Sequence, residues 1–306
     1  MTLTVLLAAG HGVFEEYDAP LRAAFAAQGL DAALVTDAAP ESVDYIVYAP
    51  SSPVQDFAPF TRCRAVLSLW AGVERIVANP TLTQPLARMV DPSLTQGMVE
   101  YVTGHVLRYH LGLDRPASKW APLVPPLAQD RRVGFLGLGE LGRACAQALV
   151  ALGFDVAGWS RSPRAVAGIA CHHGADGLRK VLQCSEILVT LLPDTPATAN
   201  ILNAQTLAQL PRGARIINPG RGTLVEDAAL LAALDTGQIA AATLDVFRTE
   251  PLPAEHPYWA HPSVTVTPHI AAATRPDTAS AVIAANIARV QAGQPLLHEV
   301  SRSAGY

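Results

Sequence analysis

Short apolar runs alternate with amphipathic segments along this chain, which predicts strands that alternate with helices. The first part of the chain contains four such runs: LTVLLAA at 3–9, LDAALVT at 30–36, DYIVYAP at 44–50 and RAVLSLW at 64–70. Between two of them, EEYDAPLRAAFAAQG at 15–29 has apolar residues at helical spacing. This pattern predicts a first α/β unit that is built on a parallel sheet.

A second series of strands follows a helix and a proline-rich connector. We expect the helix in QGMVEYVTGHVLRYHLGL at 96–113, and the connector is APLVPPLAQD at 121–130. Six apolar runs come next: RVGFLG at 132–137, FDVAGW at 154–159, EILVTLL at 186–192, RIINPG at 215–220, AATLDVF at 241–247 and VTVTPH at 264–269. They predict a doubly wound parallel sheet. The last helix, within 275–293, can return to the first unit.

The bulk properties favour a globular protein with two domains that binds small molecules. The chain has 306 residues, of which 50% are hydrophobic, and this is enough for two separate cores. We therefore predict the α/β class with two doubly wound parallel-sheet domains, residues 95–271 being inserted between residues 1–94 and 272–306. The net charge of −4 and the lack of a Lys/Arg-rich run argue against a nucleic acid or a membrane as the partner.

Neither the N-terminal segment nor the cysteines indicate export or metal binding. MTLTVLLAAG has no basic flank and no long hydrophobic region, so we expect a buried first strand and a cytoplasmic protein. His172 and His173 are adjacent rather than at metal-ligand spacing. The cysteines lack CxxC spacing, which favours reduced thiols and no metal. They are Cys63, Cys145, Cys171 and Cys184.

The segment GLGELG follows a predicted strand and begins a predicted helix, as a dinucleotide-binding loop does. Gly137 permits the tight turn, Gly139 lets the backbone approach a pyrophosphate, and Gly142 lets the helix pack closely on the strand. Glu140 and Leu141 lie at the helix N-terminus, whose free N–H groups can bind phosphate oxygens. The loop therefore predicts a dinucleotide site.

The second strand of this motif ends in GWSRSP at 158–163, where an acidic residue usually binds the adenosine ribose. A carboxylate there would repel a 2′-phosphate, whereas Ser160, Arg161 and Arg164 could bind it, with Ser162 between them. This pattern predicts NADPH (NADP) in preference to NADH. The alternative is that Arg161 is a solvated arginine on a surface turn.

Three further polar residues stand at the ends of predicted strands: Arg221 in NPGRG, Glu250 in FRTEP and His269 in TPHI. Taken singly they could be a surface ion-pair former, a solvated loop acid and a core histidine. Together they form a complete catalytic set. An Arg can bind a 2-oxo acid through its carboxylate and carbonyl oxygens, a His can deliver a proton, and a Glu can keep that imidazole charged.

The chain resembles the D-2-hydroxyacid dehydrogenase family, and within it the glyoxylate/hydroxypyruvate reductase A branch. The resemblance is dense in the second domain and thinner in the first. It rests on GLGELG, WSRSP, LLPDTPAT, NPGRG, LLAALDTGQIAAATLDVFRTEPLP, HPSVTVTPHIAAATRP and the terminal GY, and on LWAGVE at 69–74 and GMVEYV at 97–102. The family has a Rossmann-type cofactor domain inserted into a flavodoxin-like substrate domain, and this is the arrangement that the resemblance implies.

The resemblance also implies roles for single residues. Arg221, Glu250 and His269 are then the catalytic set, and Asp245 faces the nicotinamide carboxamide. The backbone N–H groups of Gly72 and Val73 help to bind the substrate carboxylate. Further residues are expected to line the cofactor cleft or the substrate end: Leu192, Pro193, Pro219 and Gly220 for the cofactor, and Trp70 and Ala71 for the substrate. The alternative for Trp70 is a core aromatic at a strand end.

Two positions depart from the family pattern. Glu74 stands where the family often has Asp, and Pro219 precedes the Gly-Arg-Gly turn where a small or aliphatic residue is usual. Neither change removes a catalytic group. Pro219 fixes a backbone dihedral beside Arg221, so the direction of the Arg221 side chain is less well defined than its identity.

These observations predict an NADPH-dependent reduction of small 2-oxo acids, glyoxylate to glycolate and hydroxypyruvate to D-glycerate. We expect the nicotinamide to lie toward a cleft between the domains, with His269 donating the proton. The resemblance implies a homodimer that uses the helix around 97–111. Two alternatives stay open: an NAD-linked D-2-hydroxyacid dehydrogenase with another substrate, and a non-catalytic module that senses a nicotinamide nucleotide.

Overall fold

The structure of the protein is a computed structural model that describes residues 2–10, 12–115, 120 and 124–302. Residues 121–123 of the connector and the terminal GY pair at 305–306 lie outside the described residues. The chain divides into two compact units. Unit 1 consists of Met1–Leu94 and Ala273–Tyr306, and unit 2 is Thr95–Ala272.

Strands and helices alternate through both units. The strands of the described residues are β1 (Leu3–Ala8), β2 (Ala32–Val35), β3 (Tyr45–Tyr48), β4 (Ala65–Ser68), β5 (Leu86–Ala87), β6 (Arg132–Leu136), β7 (Asp155–Ser160), β8 (Ala170–His173), β9 (Ile187–Thr190), β10 (Ala214–Asn218), β11 (Ile239–Leu244) and β12 (Val264–Val266). The α-helices are α1 (Val13–Ala27), α2 (Glu74–Val77), α3 (Pro92–His110), α4 (Glu140–Ala151), α5 (Gly174–Cys184), α6 (Ala204–Leu207), α7 (Asp227–Asp235) and α8 (Pro276–Gln291).

The sheet of unit 1 has five strands in the order β2-β1-β3-β4-β5, and every neighbouring pair is parallel. This is the flavodoxin-like strand order. The interior strands β3 and β4 are buried along their whole length, as expected for parallel strands that are covered on both faces. The apolar runs therefore predicted these strands well.

The last helix of the chain packs against the first helix. Leu21 and Phe25 of α1 share one core cluster with Ile283 and Ile287 of α8, and all four side chains are at most 2% exposed. Apolar residues at helical spacing bring these two helices together. As a result, the segment after β12 returns to unit 1 and completes its core.

The sheet of unit 2 has seven strands in the order β12-β11-β10-β9-β6-β7-β8, again all parallel. Counted from β6, this is the Rossmann order with one additional strand, and the order reverses between β6 and β9. The fold class predicted from the sequence is thus confirmed: both domains are α/β with parallel sheets.

Successive residues of the unit 2 strands pack into two different cores. Leu188 and Ile216 belong to one cluster, whereas their neighbours Val189 and Ile217 belong to another. Since side chains alternate across a strand, the two clusters lie on opposite faces of the sheet. No helix within the described residues is both long enough and apolar enough to cross a membrane.

Two strands were absent from the sequence prediction. β5 has only two residues, and β8 contains the sequence ACHH with no buried residue. β8 is an edge strand that pairs only with β7. An edge strand needs backbone hydrogen bonds but little apolar burial, so its side chains carry no hydrophobic signal. The histidines of β8 therefore lie at a sheet edge.

Asp44 connects β1 to the beginning of β3 in unit 1. Its carboxylate accepts hydrogen bonds from Thr4 N at 2.9 Å and from Arg62 Nη2 at 2.8 Å, and the residue is 3% exposed. Burial by itself raises the pKa of Asp44, but these hydrogen bonds and the charges of Arg62 and Arg64 outweigh it, so the net pKa lies below its usual value.

We predict that Asp44→Asn lowers the free energy of unfolding by about 1.5–3 kcal/mol at pH 7, as for a hydrogen bond to a charged group. Because the pKa is lower in the folded state, this carboxylate stabilises the protein above the unfolded value of about 4 and stops doing so as the pH falls through the folded value. Urea unfolding at several pH values measures both effects.

The matched control is Asp18→Asn, which breaks the exposed pair of Asp18 with Arg22 on α1. It is expected to change the free energy of unfolding by less than about 0.5 kcal/mol. Equal losses in the two variants, or a difference between Asp44→Asn and the native chain that does not shrink at low pH, would contradict the prediction.

Candidate active site

The predicted catalytic residues follow three neighbouring strands of unit 2. β10, β11 and β12 lie side by side and are parallel, so their carboxyl ends meet at one edge of the sheet. Arg221 comes shortly after β10, Glu250 after β11 and His269 after β12. Ligands of open parallel sheets bind at this edge.

Glu250 and His269 form a direct pair. His269 Nδ1 lies 2.8 Å from Glu250 Oε2, and Glu250 Oε1 accepts a hydrogen bond from Phe247 N at 2.9 Å. Since an ionised carboxylate only accepts hydrogen bonds, Nδ1 carries the proton of this contact. The imidazole side chain is 56% exposed, and its Nε2 is the nitrogen that remains for a hydrogen bond to a bound molecule. This is the geometry of an oriented proton donor.

The turn that carries His269 is organised around the buried carboxylate of Asp245. Asp245 Oδ1 accepts hydrogen bonds from Thr267 Oγ1 at 2.6 Å and from Ile270 N at 2.9 Å, and Oδ2 accepts one from Ala271 N at 2.9 Å. In addition, His269 N donates to Asp245 O at 2.9 Å. Asp245 thus binds the residues on both sides of His269.

His269 adopts a left-handed backbone conformation with φ of 54°. This region is unfavourable for residues with a Cβ atom, so the surrounding hydrogen bonds must hold it there. The three bonds that Asp245 accepts supply that constraint. Asp245 is 1% exposed, and its expected contact with a nicotinamide carboxamide stays a prediction.

Asn218 shapes the loop that carries Arg221. Its side-chain oxygen accepts hydrogen bonds from Thr190 Oγ1 at 2.7 Å and from Gly220 N at 3.2 Å, and its amide nitrogen donates to Arg221 O at 3.0 Å. Arg221 Nη1 donates to Gly220 O at 2.7 Å. Three hydrogen bonds therefore hold the backbone of Gly220 and Arg221 beside Pro219, and they define the position from which the Arg221 side chain extends.

Arg248 joins the Arg221 loop to the Glu250 loop. Arg248 Nε donates to Val225 O at 3.0 Å, and its Nη2 contacts Asn200 Oδ1 and Thr223 O. The two loops also touch at Gly222, where an added Cβ would lie 1.9 Å from Phe247 C. Asn218 and Arg248 were not predicted from the sequence, although each stands in a motif that was singled out, NPGRG and FRTEP.

The glycines of GLGELG have three different surroundings. Gly137 has a φ of 106°, and Gly142 packs so tightly that an added Cβ would lie 2.0 Å from Gly137 O. At Gly139, by contrast, an added Cβ would meet no atom within 4 Å. A turn glycine, a helix-packing glycine and a glycine that faces open space are what a pyrophosphate-binding loop requires. The residues present therefore fit a dinucleotide.

The residues expected to bind a 2′-phosphate follow β7 directly. Ser160 is 7% exposed, and its Oγ donates to Ser162 O at 2.8 Å, which closes a short turn. Arg161, Ser162 and Arg164 are exposed on this turn. Gly137 N donates to Trp159 O at 2.9 Å, so the turn begins beside the glycine loop.

The other cofactor-site candidates lie in the loops after β9 and β10. Leu192 is 8% exposed in a core cluster, and Pro193 O accepts a hydrogen bond from Thr198 Oγ1 at 2.6 Å. Pro219 and Gly220 are buried. Of these residues, Pro193 is more accessible than Leu192, whose side chain belongs to the hydrophobic core.

The candidates for substrate binding in unit 1 form the turn after β4. Trp70 is 51% exposed, which does not fit the alternative of a core aromatic, and its carbonyl accepts a hydrogen bond from Ser68 Oγ at 3.0 Å. Ala71 and Gly72 are partly exposed, whereas Val73 is 2% exposed and precedes α2. These residues are brought together in one turn.

Among the described residues, no group of three or more His, Cys, Asp or Glu side chains is placed to hold a metal ion. The four cysteines are free thiols. Burial raises the pKa of Cys63 and of Cys145 to about 12, so both remain protonated at neutral pH.

Known sequences are similar to this chain over most of its length. The family model of the NAD-binding domain of D-isomer specific 2-hydroxyacid dehydrogenases matches residues 113–271. A protein of Serratia proteamaculans named glyoxylate/hydroxypyruvate reductase A is 46% identical over 277 residues, which cover 86% of this chain and 88% of that protein. A protein of the same name from Yersinia enterocolitica is 40% identical over 279 residues, 87% of this chain and 88% of that protein.

Solved structures with the same fold contain nicotinamide nucleotides. A D-isomer specific 2-hydroxyacid dehydrogenase from Xanthobacter autotrophicus in complex with NADPH is 41% identical, with a TM-score of 0.92 over 99% of both chains. An NADPH-dependent glyoxylate/hydroxypyruvate reductase from Sinorhizobium meliloti in complex with NADP is 36% identical, with a TM-score of 0.87 over 100% of this chain and 99% of that one.

We predict that two substitutions in the glycine loop affect different properties, stability for Gly142→Ala and nucleotide binding for Gly139→Ala. Gly142→Ala is expected to lower the unfolding temperature, because its methyl group would overlap Gly137 O. Gly139→Ala is expected to leave the unfolding temperature unchanged and to weaken dinucleotide binding at least tenfold, since its methyl group would enter the open space in front of the loop.

Thermal unfolding without ligand and titration with a reduced nicotinamide nucleotide test the two variants. The assignment of the loop fails if Gly139→Ala binds the nucleotide as tightly as the native chain. It also fails if Gly139→Ala unfolds as early as Gly142→Ala, since the space beside Gly139 would then be filled.

Proposed function

Because this chain belongs to the D-isomer specific 2-hydroxyacid dehydrogenase family, we propose that it reduces small 2-oxo acids with NADPH, with glyoxylate and hydroxypyruvate as substrates. The observation that carries this proposal is the 2.8 Å pair between His269 Nδ1 and Glu250 Oε2 at the carboxyl edge of the sheet, in the same unit as the glycine loop. The products would be glycolate and D-glycerate.

The cofactor assignment rests on residues of unit 2. The turn at Gly137 and the open space at Gly139 would accommodate the pyrophosphate, and the N-terminus of α4 with Glu140 and Leu141 would face it. The exposed Arg161 and Arg164, with Ser160 and no acid at the end of β7, favour a 2′-phosphate. When bound, NADPH supplies the hydride that reduces the carbonyl carbon.

The proton comes from His269 in this proposal. With Nδ1 donating to Glu250, the imidazolium can donate from Nε2 to the carbonyl oxygen as negative charge develops there. Glu250 fixes the orientation of the ring, because Phe247 N holds the other carboxylate oxygen. The pair therefore acts as one acid.

Arg221 is the proposed substrate-binding cation. Its guanidinium can bind the carboxylate of a 2-oxo acid with two hydrogen bonds and can stabilise charge on the carbonyl oxygen. The bonds of Asn218 to Gly220 N and Arg221 O support this role because they preorganise the loop. For Trp70, Ala71, Gly72 and Val73, a role in substrate binding rests on the resemblance alone, as does the homodimer.

Turnover of 2-oxo acids tests the proposed function. Oxidation of NADPH is followed by absorbance with glyoxylate, hydroxypyruvate, pyruvate and a larger aliphatic 2-oxo acid. Faster turnover of glyoxylate and hydroxypyruvate than of pyruvate and the larger acid is expected. Turnover with NADH and another oxo acid would favour the NAD-linked alternative, and tight NADPH binding without any turnover would favour the sensing module.

We predict that Glu250→Gln slows oxo-acid reduction. Glutamine keeps an oxygen acceptor for Phe247 N but places an amide N–H group where Oε2 faces His269 Nδ1, so the ring loses the acceptor that orients it. Steady-state kinetics should show a lower kcat in Glu250→Gln. His269→Ala, which removes the proposed donor itself, is expected to lose about 10²–10⁴-fold in kcat.

Asp235→Asn is the matched control for this experiment. It removes the charge of another carboxylate that faces a histidine of unit 2, at 3.4 Å from His261 Nε2, but the pair does not lie at the strand ends after β10 to β12. Its kcat should equal that of the native enzyme. If Glu250→Gln also keeps the native kcat, Glu250 has no part in the proton donor.

We predict that Arg161→Ala weakens NADPH binding by about 1.5–3 kcal/mol, the range for a hydrogen bond to a charged group, and leaves NADH binding nearly unchanged. The preference of the native chain for NADPH should weaken in high salt, because Arg161 is exposed and its charge is screened. Quenching of protein fluorescence during titration with each nucleotide measures these affinities.

Arg179→Ala on α5 is the control, since it removes another exposed arginine from unit 2. It should alter neither affinity. Equal affinity of the native chain for NADPH and NADH would mean that Arg161 is only a surface arginine and that the absence of an acid at the end of β7 does not select the nucleotide.

A further inference from the structure

Two tyrosines of α3 make the same kind of contact with threonines of the unit 2 strands. Tyr101 OH lies 2.7 Å from Thr267 Oγ1, just after β12, and Tyr109 OH lies 2.7 Å from Thr243 Oγ1 on β11. The two contacts therefore have equal length and equal chemistry. They differ in the second hydrogen-bond partner of the threonine hydroxyl group.

Beyond Thr267 lies the carboxylate of Asp245. Thr267 Oγ1 donates to Asp245 Oδ1 at 2.6 Å, which uses the only hydroxyl proton of the threonine. The Thr267 oxygen must then accept from Tyr101 OH, so the donors run in one direction from Tyr101 through Thr267 to Asp245. Burial raises the pKa of Tyr101, which keeps its hydroxyl protonated as a donor.

The Asp245 carboxylate connects Thr267 to the turn that carries His269. The same oxygen that accepts from Thr267 also accepts from Ile270 N, and the other oxygen accepts from Ala271 N. Since His269 has a left-handed backbone and lies between Thr267 and Ile270, its position depends on where the carboxylate stands. A shift of the Asp245 oxygen would therefore move the imidazole relative to Glu250.

We propose that Tyr101 is a positioning residue for the reaction: through Thr267 it holds the Asp245 carboxylate in the orientation that keeps His269 in its left-handed turn. This inference rests on the proposed function, because it assigns the turn a part in proton donation. Hydrogen bonds that point in one direction along a chain reinforce one another, and the bond at the end of this chain involves a charged acceptor.

The second tyrosine supplies the control. Thr243 Oγ1 contacts His105 Nδ1 at 3.4 Å in addition to Tyr109 OH, and neither of these contacts involves the residues of the His269 turn. Tyr109 is 2% exposed, so the loss of its hydroxyl costs at least as much stability as the loss of the Tyr101 hydroxyl. Tyr109→Phe thus reproduces the structural cost without the catalytic connection.

The test compares Tyr101→Phe with Tyr109→Phe. We expect kcat for glyoxylate reduction to fall on the order of three- to tenfold in Tyr101→Phe, with the KM for NADPH unchanged within about twofold. Tyr109→Phe should keep the native kcat, although its midpoint of urea unfolding falls. Equal losses of kcat in the two variants would show a general effect of weakened helix packing and would overturn the proposal.

Variants of Thr267 test whether Tyr101 acts on Asp245 through the Thr267 hydroxyl group. The kcat of Thr267→Val should fall as much as that of Tyr101→Phe, because valine lacks the hydroxyl group. Thr267→Ser, which keeps the hydroxyl group, and Thr243→Val should both have the native kcat. The double variant Tyr101→Phe with Thr267→Val should be no slower than Thr267→Val alone, because both changes remove the same chain of bonds. Strictly additive losses would overturn the path through Thr267.

A measurement without turnover separates this inference from the proposed function. The ring signal of His269 in an NMR spectrum, assigned by its loss in His269→Gln, should shift in Tyr101→Phe and stay in place in Tyr109→Phe. If the signal shifts but the native protein reduces no 2-oxo acid, the proposed function fails and the positioning of His269 by Tyr101 stands. If the native protein is active and neither kcat nor the signal responds to Tyr101→Phe, the positioning role is excluded.

Discussion

The buried carboxylate of Asp245 is the constraint on which the proposed catalytic edge of the sheet depends. A buried charge is costly unless hydrogen bonds satisfy it, and here the donors are Thr267 Oγ1 and the backbone N–H groups of Ile270 and Ala271. The chain after β12 supplies these donors by turning at His269, where φ is 54°. The hydrogen bonds that satisfy one buried acid therefore also fix the backbone of His269, the residue that we propose as the proton donor.

In the loops that carry Arg221 and Glu250, too, one polar side chain forms hydrogen bonds with several other groups. Asn218 bonds to Thr190, Gly220 and Arg221, and Arg248 bonds to carbonyl groups on the Arg221 loop. The side chains that we propose as catalytic thus stand on loops whose backbone is tied to the sheet, and the His269 side chain is 56% exposed. Rigid support and an accessible reacting group are both needed for preorganised catalysis.

The sequence predicted those features that have a local physical cause. The glycine spacing, the apolar interior strands and the position of Arg221, Glu250 and His269 at strand ends each follow from residues that lie close together in the chain. Edge strand β8 was missed because it buries no side chain. The positioning role that we propose for Tyr101 could not be predicted, because its partner Thr267 is 166 residues away in the chain. From sequence alone, a tyrosine at that position of a helix indicates only a hydrophobic contact.

The turn after β7, which we propose to recognise the cofactor, contributes little to folding. Arg161 and Arg164 are exposed, and the sheet and its two cores are complete without them. Exposed positions of this kind tolerate substitution with little loss of stability, in contrast to Asp245 or Gly142. With the roles that we propose, the choice between phosphorylated and unphosphorylated nucleotides can therefore change during evolution through single surface substitutions. The turn that carries His269 is bonded to the buried Asp245, so it can diverge only if several residues change together.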